Sequence, residues 1–212
     1  GMIEWLNVRQ RAVDDAKRET TFHDVSVFHY TEVNRVRDAI TNGRKRLVNT
    51  VLPFVGVDYV SYSAYDIEKL SQSEINETLD YVESQLKPKS YIEGKRVFIG
   101  EFAVPAIETG YNKAKHEMIN RNIILKFLRW GCPFILYWEF YNNEVDGVIH
   151  NGFWLVDEKG EKWPLYTTFQ NFYKSADCML AEFLLDNGNL PSEQEFLDWS
   201  IEFLEEYSPP HE

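Results

Sequence analysis

The chain is short of positive charge. Its 22 lysines and arginines face 34 aspartates and glutamates, for a net charge of -12. No basic excess is there to displace counterions from a phosphate backbone, so nucleic-acid binding is excluded as a primary role, and an anionic membrane repels such a surface. Cysteine is nearly absent too. Cys132 and Cys178 are the only two, too few for a disulfide framework, and both fall in patterned segments where a buried thiol is the simpler reading. There is no C-x-x-C and no histidine-rich ligand spacing, so neither a metal nor a cofactor is expected. No apolar run approaches the roughly 20 residues of a membrane span. No signal peptide precedes the first helical pattern, so the expectation is a cytoplasmic protein if the chain is complete, with localisation otherwise open.

Aromatic residues are plentiful: 6 Trp, 12 Tyr and 14 Phe. Rings fill cores, but they also suit flat apolar faces such as sugars or a partner surface. Apolar and charged shares are ordinary for a soluble globular protein, and 212 residues suffice for one domain with a full core.

Residues 3–19 place Ile3, Leu6, Val13 and Ala16 on one helical face. Val25-Ser-Val-Phe-His-Tyr30 reads as a strand ending in Thr31-Glu32-Val33-Asn34, with Asn34 as the cap of the next helix. That helix runs on Val36, Ile40, Leu47 and Val51, and Asn42-Gly43 bends or interrupts it. Asp58-Tyr-Val-Ser-Tyr-Ser-Ala-Tyr-Asp66 is a second strand. Ser71 and Glu74 form a capping box that opens a helix on Ile75, Leu79, Val82 and Leu86, which Pro88 stops. Val97-Phe-Ile-Gly-Glu-Phe102 is a third strand, and a helix spans about residues 113–129. Pro133-Phe-Ile-Leu-Tyr-Trp-Glu-Phe140 is a fourth strand. Strand starts lie roughly 33 to 39 residues apart with a helix between each pair, a series of βα units whose strands must run parallel. The fold class is therefore α/β. After residue 140 the rhythm stops. A short hairpin is expected over Phe153–Trp163, then a helix over Tyr166–Leu185, then a turn at Asn187-Gly188-Asn189 and an acidic helix opened by Pro191-Ser192. The domain reading is one series of βα units over residues 1–185 and an acidic helical appendage over 186–212.

The third strand delivers Glu101 at its C-terminal end, immediately after Gly100, which lets backbone or ligand come close. Parallel α/β enzymes keep their chemistry at that end of the sheet. Taken alone, a glutamate just past a strand is an ordinary solvated loop charge.

Four segments carry a resemblance. Val97-Phe-Ile-Gly-Glu-Phe102 resembles the seventh strand of the clan of retaining glycoside hydrolases with (β/α)8 barrels, the cellulase-, mannanase- and xylosidase-like enzymes. Asp58-Tyr-Val-Ser-Tyr-Ser-Ala-Tyr-Asp66 resembles the sixth strand, Ile135-Leu-Tyr-Trp-Glu-Phe140 the eighth, and Phe153-Trp-Leu-Val-Asp-Glu-Lys-Gly160 with Pro164-Leu-Tyr166 the closing hairpin and last helix. Order and spacing agree over roughly residues 20–175. The resemblance implies strands five to eight of a TIM barrel, Glu101 as the nucleophile, Trp138 as the floor under the reacting sugar, and Tyr62 or Tyr65 as groups touching nucleophile or substrate. Two departures stand out. Ser63 occupies the sixth-strand position where the clan has His, and the Asn-Glu pair bearing the general acid has no counterpart before the first strand.

A full barrel needs eight strands and typically about 250 residues, so the chain resembles a C-terminal half. A four-stranded parallel sheet has two open edges. Its completion is expected from a missing N-terminal half, from a homodimer of half-barrels, or by rearrangement into a compact open sheet. Glu32, ending the first strand on the same side as Glu101, is the candidate second carboxyl, against a solvated or salt-bridged glutamate. His29 is a further substrate-binding candidate, against a satisfied core histidine. Two functions remain: a glycoside hydrolase acting on a carbohydrate substrate, or a non-catalytic barrel relic that binds carbohydrate or assembles through its exposed sheet.

Overall fold

The computed structural model describes residues 1–19, 27–141, 145–146 and 149–209. The described chain is mixed α/β with a parallel four-stranded sheet in the order β1-β2-β3-β4. The strands are β1 (Tyr30–Asn34), β2 (Tyr59–Ser63), β3 (Val97–Phe102) and β4 (Ile135–Tyr137). Contacts divide the chain into two compact units, Gly1–Phe102 with Cys132–Leu136, and Ala103–Gly131 with Tyr137–Glu212.

In the first unit, α1 (Met2–Glu19) precedes β1, and α2 (Val36–Asn42) and α3 (Leu47–Thr50) follow it. Gly43, at φ 62°, ends α2 and splits the helical stretch at the expected Asn42-Gly43. The helix α4 (Gln72–Ser84) starts with both bonds of the capping box between Ser71 and Glu74. The sheet's two faces differ. Val33, Val60, Tyr62, Val97 and Ile99 share one face and are at most 1% exposed; α3 lies against β1 and α4 against β3. Each such side chain contributes about 1.5–3 kcal/mol by leaving water.

The first strand lies later than the periodicity implies. Val25 and Ser26 fall outside the described residues, and Val27 and Phe28 are exposed coil. The ladder with β2 begins where His29 O accepts the amides of Asp58 and Tyr59, and it runs to Asn34. Glu32 is therefore a strand residue, and Asn34 ends the strand while Arg35, at φ 50°, stands before α2. The fourth strand is shorter than Pro133–Phe140, covering only three residues; proline cannot donate to a ladder.

The second unit holds α5 (Lys113–Trp130), α6 (Pro164–Asn187) and α7 (Glu193–Glu206), with two-residue strands β5 (Val145–Asp146) and β6 (Ile149–His150). Asn112 caps α5, Gly188 closes α6, and Ser192 caps α7. The acidic helix packs on α5 and α6. Arg121 ties α5 to α7, donating to Leu204 O at 2.7 Å and to Glu117 Oε1 at 2.7 Å. The hairpin expected over Phe153–Trp163 reduces to a single antiparallel bridge, Val156 with Lys162. The turn between them is held by Asp157, whose Oδ1 accepts the amides of Lys159 and Glu161, both at 2.9 Å. Cys132 is buried and its thiol is pushed up to about 12 by burial, whereas Cys178 lies exposed on α6. Among the described residues no helix is long and apolar enough to cross a membrane.

Candidate functional site

The second face of the sheet follows from register. Tyr30, Glu32 and Asn34 of β1 pair with Tyr59, Ser61 and Ser63 of β2, so by strand alternation these six share the face opposite Val33 and Tyr62. On β3 the partners of Ser61 and Ser63 are Phe98 and Glu101, with an irregularity between Tyr62 and Ser63. That irregularity adds one residue to β3 and brings Glu101 onto the face that carries Glu32 and Ser63. Gly100 shares this face, since a Cβ added to it would meet Ser61 Oγ and the Phe98 ring.

Two contacts build this face. Ser63 donates its hydroxyl to Glu32 Oε1 at 2.9 Å. Gly100 lies so close to β2 that a Cβ added to it would stand 1.8 Å from Ser61 Oγ. Glycine is needed here for space, since a side chain would collide with the neighbouring strand. Below the polar end the face is aromatic. Tyr30 packs edge-on against Phe98 at 5.5 Å, Phe98 against Phe134 at 6.0 Å, and Tyr59 against Phe134 at 6.3 Å. Tyr30 and Phe134 are 54% and 56% exposed, although edge-to-face rings of this kind ordinarily lie in cores or interfaces.

The sequence-derived candidates separate. Glu101 and Glu32 lie at the same end and on the same face of the sheet. Tyr62 lies on the other face, fully buried, and donates to Asp66 Oδ1 at 2.7 Å; burial and that carboxylate push its phenol far above its usual value. Tyr65 follows β2 and is 39% exposed. His29 lies at the opposite, N-terminal end of β1, buried, with Nδ1 3.2 Å from Gln10 Oε1 and its pKa lowered first by burial. Trp138, in the second unit, is half-buried directly after β4.

Around His29 stands a polar cluster that no motif or spacing announces. The Asp58 carboxylate is fully buried and accepts from Tyr91 Oη at 2.6 Å, the His29 amide at 3.0 Å and Gln10 Nε2 at 3.1 Å. Lys89 and Lys17 approach it at 3.2 and 3.4 Å. Burial alone would raise this carboxyl; the hydrogen bonds and Lys17 outweigh it and hold it below the usual carboxylate range. Arg96 donates to the carbonyls of Asp58, Val57 and Lys87, each at 2.7 Å. The donors of Gln10, Tyr91, Arg96 and the two lysines are turned inward onto the chain, the chemistry of a structural clamp, and only His29 Nε2 in the cluster is buried without a hydrogen-bond partner. Among the described residues no group of three His, Cys, Asp or Glu side chains gathers to hold a metal ion.

This face thus carries two carboxyl groups, an asparagine, two buried serine hydroxyls and a run of rings exposed at Tyr30 and Phe134. Carboxyl groups supply acid, base or nucleophile, and flat rings supply a stacking surface. A scan against protein-family models finds no match, and searches of curated proteins and of solved structures return none.

Proposed function

We propose that this chain is a retaining glycoside hydrolase or the nucleophile-bearing half of one, with Glu101 attacking the anomeric carbon of an O-glycoside. The observation that carries this is the bulge at β3, which presents Glu101 at the C-terminal end of a parallel sheet on the face it shares with Glu32. In the resemblance, that strand end is where the nucleophile stands. Glu32 is the companion acid. Two strand spacings separate the backbones of β1 and β3, roughly 10 Å. A retaining pair needs about 5–5.5 Å between carboxyl groups, so both side chains must lean over Ser63. The glutamates would split their roles as acid and nucleophile, with the sugar held between them.

A 2-deoxy-2-fluoroglycoside with a good leaving group tests this. Mass spectrometry is expected to find the trapped sugar on Glu101, and Glu101→Gln to abolish trapping. Glu32→Gln is expected to slow cleavage of alkyl glycosides and to spare activated aryl glycosides, which need no acid. If no glycoside is cleaved and Glu101→Gln binds carbohydrate as wild type does, the hydrolase reading fails. The ring cluster of Tyr30, Phe98 and Phe134, exposed at Tyr30 and Phe134, supports the second reading, a non-catalytic barrel relic that binds carbohydrate or assembles through its sheet.

A further inference from the structure

β1 lies at the edge of the sheet. In the order β1-β2-β3-β4 this strand has β2 on one side and, among the described residues, no strand on the other. His29 O faces β2, where it accepts the amides of Asp58 and Tyr59 at 2.9 and 3.2 Å. By alternation Thr31 and Val33 also turn their main-chain groups to β2, and Tyr30, Glu32 and Asn34 turn theirs outward. Edge strands are ordinarily blunted by Pro, Lys, a bulge or brevity. β1 reads Tyr-Thr-Glu-Val-Asn and has none of these. Its one charge, Glu32, is engaged on the sheet face by Ser63.

A cavity of about 430 Å³ runs along this edge, walled by Trp5, Leu6 and Arg9 of α1 and by Leu47, Val51 and Leu52. Trp5 and Leu47 line it while 54% and 41% exposed, and the Arg9 guanidinium lies 4.6 Å over the Trp5 ring.

We propose that this groove receives an extended segment of another protein, added to β1 as a further strand. Charge selects the occupant. A second copy brings the same net charge of -12 and is repelled. A neutral or basic segment with apolar side chains at alternate positions meets the main-chain groups of β1 and the apolar wall of α1 and α3. This holds whether or not Glu101 is a nucleophile.

The test uses the full chain and the peptide acetyl-Lys-Val-Thr-Val-Thr-Val-Lys-amide. Calorimetry is expected to show saturable binding, and amide exchange at Tyr30, Glu32 and Asn34 to slow by at least about tenfold on its addition. Glu32→Pro removes one outward N–H and none of the β1–β2 ladder, and is expected to abolish binding. Glu32→Ala loses the same carboxylate but keeps the N–H, and is expected to retain saturable binding, so the further loss in Glu32→Pro measures the N–H alone. Absence of both saturable binding and protection in the wild type overturns the proposal. So does binding to a folded Glu32→Pro variant equal to that of Glu32→Ala. Self-association in sedimentation, with the same amides protected before peptide is added, overturns the choice of a foreign strand. The wild-type exchange data need no variant, so they decide the matter even if Glu32→Pro fails to fold.

Discussion

Ser63 reaches diagonally from β2 to the Glu32 carboxylate of β1, 2.9 Å away, although its register partner is Asn34. Its hydroxyl therefore ties the strand end nearest Glu101 to the other carboxyl group on the same face. A histidine at this position, as in the hydrolase clan, would carry a larger and titratable donor. Serine supplies a short neutral one.

Ser63→Ala removes this donor and leaves Glu32 exposed to water. A neutral hydroxyl bonded to an accessible carboxylate contributes about 0.5–1.5 kcal/mol. Urea unfolding of the variant is expected to show a loss at the lower end of that range with an unchanged slope. A larger loss would mean that Ser63 supports the sheet through another contact.

Gly100→Ala is expected to cost about 1–3 kcal/mol through overpacking, because the new Cβ meets Ser61 Oγ at 1.8 Å. Ser61→Ala removes that oxygen and leaves the Ser61 Cβ, 3.1 Å from the added carbon. The double variant is thus expected to recover most of the loss. A coupling energy near zero in the double-mutant cycle would show that the collision is relieved by backbone movement instead.

The legible parts of the fold were local. Ser71 with Glu74 and the apolar stripe of Ile75, Leu79 and Val82 specify α4 within a few turns of chain, and the helix forms there. The parallel order of the strands followed from the spacing of βα units. What escaped depends on pairing across the chain. Phe28 and Tyr30 look like one β-rich run, yet the ladder starts only where β2 supplies the amides of Asp58 and Tyr59. The bulge that sets the side of Glu101 is a mismatch between two strands and leaves no mark in either alone. Tyr62 was a site candidate because it sits in a motif, and one step of alternation sends it into the core. The Asp58 clamp gathers Gln10, His29, and Lys89 with Tyr91 from three separate segments, which no spacing rule anticipates.

Asp58 makes the first unit sensitive to acid. Its folded-state carboxyl titrates below the ordinary aspartate value, so the stability it provides is fully present above about pH 3.9. As pH falls below that, the unfolded chain takes up the proton first and stability is lost progressively. Asp58→Asn is expected to lower stability at pH 7 by about 3–5 kcal/mol, because Lys17 and Lys89 lose their buried counter-charge. It should also flatten the acid limb. Denaturant unfolding between pH 2.5 and 7 checks both, and an acid limb of unchanged steepness in the variant would assign the loss to other carboxylates.

His116 acts in the second unit and at higher pH. The ring is fully buried on α5, with Nε2 3.2 Å from the Tyr137 hydroxyl and its edge against Trp163 at 5.2 Å. Burial pulls its pKa down from 6.5 to about 4, against a smaller upward pull from the Val104 backbone. A histidine with a depressed pKa folds as the neutral ring. Above pH 6.5 both states are neutral and the stability is intact. Between pH 6.5 and about 4 only the unfolded chain gains the proton, and about 3 kcal/mol of stability drains away. His116→Gln cannot titrate. It is expected to be less stable at pH 7 by about 1–3 kcal/mol, through imperfect packing beside Trp163. Over the same window its stability should vary less than that of the wild type by the His116 share. The two windows are distinct, since the Asp58 loss begins where the His116 loss ends. Unfolding free energies measured every half unit from pH 7 to pH 3 therefore separate them. Equal pH slopes for wild type and His116→Gln above pH 4 would show that the buried ring is protonated as readily in the folded chain as in the unfolded one.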